Sequence, residues 1–169
     1  MPPKKRSLRF TLLVVGEGDS EVAFLKHLRS LYCTNQEGVS VTVMNAHGKG
    51  PGNVISTAIG HRRNRQFDKA LAMLDTDLVW VKKDIEAARK AGIVLVGSSP
   101  CLEGLLLQIL GRPVPEASAH CKGAVGKIGA GDITDVSAYT DLWPKHVLEQ
   151  ARRTISKLDL LLQHFEGEA

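Results

Sequence analysis

Three carboxylates stand where a metal ion would be gathered: Glu17, in Val14-Val15-Gly16-Glu17-Gly18-Asp19-Ser20-Glu21, and Asp75 and Asp77, in Leu74-Asp75-Thr76-Asp77. Two aspartates two residues apart in extended chain project to the same side. Carboxylates drawn into one crevice repel unless a cation neutralises them, and a small all-oxygen ligand set suits a hard ion such as Mg²⁺ or Mn²⁺. Taken singly, a Glu-Gly turn is a weak signal and a D-x-D pair is common on surfaces. Their placement after the first and third strands of a short α/β chain is what makes them specific. Glu21 lies one helical turn from Glu17 if the helix starts early, so it is either a further ligand or an acid favoured at a helix start by the macrodipole. Glu103 poses the same choice in the first turn of a later helix.

A second group of residues suits phosphate. His47-Gly48-Lys49-Gly50-Pro51-Gly52 offers backbone amides, an imidazole and the Lys49 ammonium at a strand's carboxyl end, without the spacing of a nucleotide-binding P-loop. His61 and His120 read as surface histidines. No Ser-His-Asp arrangement is legible, and neither Tyr32 nor Tyr139 sits in a motif that would make it a nucleophile.

The acids need strands and turns to hold them. Leu8 to Val15 is an apolar β-rich run bounded by Gly16 and Gly18, the pattern of a strand buried on both faces. Ser20 is placed to cap a helix striped by Phe24, Leu25, Leu28, Leu31 and Tyr32, which Gly38 follows. Val39 to Met44 alternates as a second strand, and a helix capped by Asn53 runs towards His61-Arg62-Arg63-Asn64-Arg65. Ala70 to Leu74 is a third strand ending at Asp75, followed by a helix with Val81, Ile85 and Ala88 on one face and Gly92 after it. Ile93 to Val96 is a fourth strand, leading through Gly97-Ser98-Ser99-Pro100 to a largely buried helix with Leu105, Leu106, Leu107, Ile109 and Leu110. Strands alternating with helices at short intervals imply right-handed crossovers and an α/β, Rossmann-like domain. Its mainly parallel sheet of four strands should carry helices on both faces. Residues 111–135, rich in Gly, Pro and Lys, read as a long loop. A last helix over 144–166 starts at Pro144 and aligns Leu148, Ala151, Ile155, Leu158, Leu162 and Phe165 in one seam. That seam either packs on the sheet or joins two copies in a homodimer.

The chain has 169 residues, 43% hydrophobic and 24% charged, enough to bury one sizeable core and not two, so one domain over 1–169 is expected. A net charge of +4, with Lys4, Lys5 and Arg6 at the start, favours a polyanionic partner. Aromatic content of 5% argues against extensive base stacking, so nucleic-acid binding would rest on backbone charge and depend steeply on salt. Cys33, Cys101 and Cys121 are odd in number and widely spaced, which fits a reducing cytoplasm. Neither a secretory signal nor a membrane span is indicated.

The Glu-Gly-x-x-Glu and Asp-x-Asp motifs resemble the TOPRIM domain of topoisomerases, primases and overcoming-lysogenization-defect nucleases. Ser99-Pro100-Cys101-Leu102-Glu103 and the leucine-rich helix after it look like the S-x-P-C-x-E motif of RloB-like proteins, bacterial TOPRIM proteins associated with restriction and phage-defence loci. The resemblance spans roughly residues 8 to 110 and departs at Ser99 for a usual asparagine, Leu102 for a phenylalanine and Gly104 for a bulkier residue. It implies metal ligation by Glu17, Asp75 and Asp77, with Glu21 at the position nuclease branches use for a further metal and Glu103 in a functional role. Past Gly111, Lys122 and Lys127 align with basic family positions. The expected activity is Mg²⁺- or Mn²⁺-dependent hydrolysis of a phosphodiester in DNA or RNA, with a partner protein supplying targeting or energy. The alternative is a metal-dependent module that binds a nucleotide or nucleic acid without cutting it.

Overall fold

The computed structural model describes residues 10–34 and 38–169. The basic residues Lys4, Lys5 and Arg6, and the start of the first strand at Leu8, lie outside the described residues. Four strands, β1 (Phe10–Gly16), β2 (Val39–Asn45), β3 (Lys69–Asp75) and β4 (Ile93–Ser98), pair in parallel in the order β2-β1-β3-β4. The α/β class and the parallel four-stranded sheet expected from the sequence are both present.

Alternation along the strands divides the core. Leu12, Val14, Leu71, Met73 and Val96 face one side, Leu13, Val15, Ala70, Ala72, Leu74 and Ile93 the other. The first side is covered by α1 (Asp19–Tyr32), α4 (Leu102–Ile109), α5 (Ser118–Lys127), α6 (Lys145–Ala151) and α7 (Ser156–Glu166); the second by α2 (Gly50–Asn64) and α3 (Lys82–Lys90). Because β1 and β3 are buried on both faces, each of their leucines and valines contributes about 1.5–3 kcal/mol of burial, which fixes the middle of the sheet.

Several local expectations are corrected. Helix α1 begins ahead of Ser20: Gly18 is its cap residue, and the Glu21 carboxylate accepts the Gly18 N–H at 2.9 Å. Helix α2 begins at Gly50, and Asn53, inside it, donates instead to the carbonyls of Ala46 and Gly48 at 2.8 and 2.9 Å. In α3 only Ala88 is buried; Val81 and Ile85 are exposed. The stretch read as a loop over 111–135 contains α5, because Cys121 and Val125, one turn apart, bury against α4 and outweigh a glycine-rich composition.

The long terminal helix is two helices. Pro144 caps α6, and the chain leaves helical geometry at Ile155, where the β-branched pair Thr154-Ile155 is a poor helix former. Arg152 then bridges the break, binding Glu149 at 3.2 Å in α6 and Asp159 and Glu166 in α7 at 2.7 and 2.8 Å. All six seam residues are buried in the chain's own core. Among the described residues no helix is long and apolar enough to cross a membrane.

Candidate metal centre

The strand order defines where a ligand would collect. From β1 the chain adds β2 on one side through α1, then crosses behind the sheet through α2 to place β3 on the other side. β1 and β3 therefore flank a topological switch point, and crevices at the carboxyl ends of such strands are the usual ligand sites of open parallel sheets. Glu17 follows β1 and Asp75 ends β3. Gly16 pairs with Met73, so the two acids leave neighbouring strands side by side.

Each acid is anchored by a donor from a different segment. Glu17 accepts the backbone N–H of Asp75 on Oε2 at 3.1 Å. Asp75 accepts the N–H of Leu102 on Oδ1 at 3.0 Å, and its carbonyl takes the Trp80 indole N–H at 2.9 Å. Asp77 accepts the Ser118 hydroxyl on Oδ2 at 2.7 Å and donates its N–H to Pro100 O at 2.9 Å. The turn at Gly16 is closed tightly enough that a Cβ there would meet the Glu21 Cβ at 2.9 Å, which brings the start of α1 against the end of β1.

Glu21 takes the helix-start role and also lies among the other acids. Its Oε2 serves the helix start through Gly18, and its buried carboxyl lies within electrostatic reach of Glu17 and Glu103. Burial raises its pKa, opposed by the hydrogen bonds and reinforced by those two acids. Glu103 is likewise buried in the first turn of α4. Asp75 carries the consequence: burial, then Glu21, Glu17, Asp77 and Glu103, push its pKa up to about 8. The sequence-derived acids are thus one electrostatic cluster, drawn from β1, α1, β3 and α4.

The donor set is all oxygen and suits a hard divalent ion. Glu17, Glu21, Asp75 and Asp77 each place a carboxylate oxygen on a protein donor, an arrangement of the kind that orients metal-binding carboxylates. Among the described residues, no three His, Cys, Asp or Glu side chains converge into a closed ligand set as they stand. Each of the four carboxylates instead rests on its own protein donor.

The phosphate candidates divide. His47 and Lys49 are exposed in a loop clipped to the site, because Gly48 N–H donates to Glu17 O at 2.8 Å. Residues 47–50 all have positive φ, including the non-glycine His47 at 58° and Lys49 at 66°, and His47 N–H is held by the Asn45 side chain at 2.8 Å. Lys122 is exposed one turn beyond Ser118, which binds Asp77, so it flanks the crevice. Lys127, also exposed, lies about 13 Å along the α5 axis from Ser118. Ser118 was missed from sequence because its segment reads as loop. The Leu102 N–H was missed because a backbone donor carries no sequence signal.

The chain matches no protein-family model, no curated protein and no solved structure.

Proposed function

We propose that this protein is a divalent-metal-dependent nuclease that hydrolyses a phosphodiester of DNA or RNA at the β1/β3 switch point. The observation that carries the reading is the Asp75 carboxyl group, whose strongest charged neighbours, Glu21, Glu17, Asp77 and Glu103, are all acids gathered at a strand-end crevice. The likeness of the Glu17 and Asp75-Thr76-Asp77 motifs to TOPRIM sites, and of Pro100-Cys101-Leu102-Glu103 to RloB-like proteins, supports a nuclease of a restriction or phage-defence setting.

Glu17, Asp75 and Asp77 would hold Mg²⁺ or Mn²⁺, with Glu21 and Glu103 lining the inner wall of the crevice. When bound, the ion supplies Lewis-acid stabilisation of the charge that develops on the phosphoryl oxygens and acidifies a water. The chain's own part is positional. The Leu102 and Asp75 N–H groups and the Ser118 hydroxyl fix the carboxylates, while Lys49 and Lys122 at the rim attract the flanking phosphates. Lys49 is held for this by a loop tied through Gly48 to the Glu17 carbonyl.

The test is incubation of the purified protein with labelled single-stranded DNA, duplex DNA and tRNA in Mg²⁺, Mn²⁺ or chelator, beside Asp75→Ala. Cleavage in the metal-containing reactions, lost with chelator and in the variant, is expected. Cleavage that survives both would refute the proposal, and salt-dependent binding without cleavage would leave a binding module.

A further inference from the structure

Among the described residues, the Ser98 hydroxyl is the buried side-chain polar atom without a hydrogen-bond partner. Ser98 has no exposed surface and is the last residue of β4. An unpaired hydroxyl at such a position costs about 1–3 kcal/mol, which marks it as a donor open to a partner. Its neighbour Ser99 is ordinary by comparison: exposed, with its hydroxyl accepting from Thr76 Oγ1 at 3.0 Å.

The register places Ser98 directly opposite Asp75. Ser98 shares a face with Val96, and Asp75 shares one with Met73, and both faces look towards α1 and α4, where the acids gather. Paired parallel strands lie about 4.8 Å apart, so rotation about Ser98 χ1 carries its hydroxyl within reach of the Asp75 carboxylate. Asp75 Oδ1 is already occupied by the Leu102 N–H, and among the described residues Oδ2 has no protein donor. A carboxylate oxygen has two lone pairs, so Oδ2 can accept from Ser98 and still face a cation.

We infer that Ser98 is a positioning residue of the metal centre: its hydroxyl donates to Asp75 Oδ2 and holds that carboxylate in the ligating orientation when the ion binds. The inference rests on the metal-centre reading above. It gives a partner to a buried hydroxyl that otherwise has none among the described residues.

The test compares full-length wild type, Ser98→Ala and Ser99→Ala in two measurements, Mn²⁺ affinity by the EPR signal of free ion and thermal unfolding in chelator. Ser98→Ala is expected to weaken Mn²⁺ binding about tenfold, the lower end for loss of an outer-shell donor, while melting in chelator at or above the wild-type temperature. Ser99→Ala should bind Mn²⁺ as wild type does. Unchanged affinity in Ser98→Ala, equal weakening in Ser99→Ala, or a chelated Ser98→Ala protein that melts several degrees low would each overturn the inference while leaving the metal centre intact. Wild type that binds no Mn²⁺ would instead remove the metal centre, and the role of Ser98 with it.

Discussion

Asp75→Asn turns the clustering of acids into a measurable pH dependence. In the folded protein without metal, burial and four neighbouring acids raise the Asp75 pKa from its ordinary 3.8 to about 8. The folded state therefore holds a proton that the unfolded chain has released, and stability must fall as pH rises towards and through that value. Between about pH 6.5 and 8.5 a carboxyl titrating near 8 would lose about 2 kcal/mol of folded stability, and solvent screening of a half-buried group reduces this to about 1 kcal/mol. For a chain of this length that is a fall of about 2–4 °C in Tm. His27 does not imitate the effect, because burial lowers its pKa and its contribution is complete once the unfolded chain's histidines are neutral. Asparagine keeps an oxygen for the Leu102 N–H and removes the charge. Thermal unfolding in chelator across this window should therefore show a downward slope in wild type that Asp75→Asn removes. Saturating Mg²⁺ should remove most of the slope in wild type by stabilising the ionised form. A wild-type slope that is flat or upward, or one that Asp75→Asn shares, would refute the reasoning.

Two further substitutions test the scaffold. A Cβ at Gly104 would collide with Ser99 O and lie 2.8 Å from Pro100 Cδ, so Gly104→Ala should destabilise by about 1–3 kcal/mol in urea unfolding and weaken metal binding by displacing the Leu102 N–H from Asp75. Arg152→Ala removes the group that holds Glu149, Asp159 and Glu166 together across the α6–α7 break. A loss of about 2 kcal/mol is expected in the same assay, short of a fully buried pair because the partners reach solvent.

The sheet was legible because β1 and β3 are apolar on both faces and each ends in polar residues, which located Glu17 and Asp75 without any knowledge of strand order. The order itself, and so the switch point, depends on which face each crossover takes, and no local run of residues encodes that. Helix α5 was hidden because its glycines and lysines dominate its composition, while the contact that makes it helical, Cys121 and Val125 against α4, is tertiary. The α6–α7 break was hidden by a seam whose spacing continues through Thr154 and Ile155, although the backbone does not. At the site, the acids were readable as residue types, whereas the Leu102 N–H and the opposition of Ser98 to Asp75 come only from register and packing.

Whether the carboxylates of Glu17, Asp75 and Asp77 enclose a divalent cation, as proposed, is tested most directly by anomalous scattering from crystals saturated with Mn²⁺. A single-ion or paired-ion peak is expected at the β1/β3 strand ends, bounded by those three carboxylates and absent in Asp75→Asn crystals. Saturated crystals with no peak there, or with Mn²⁺ held by a different set of residues, would contradict it.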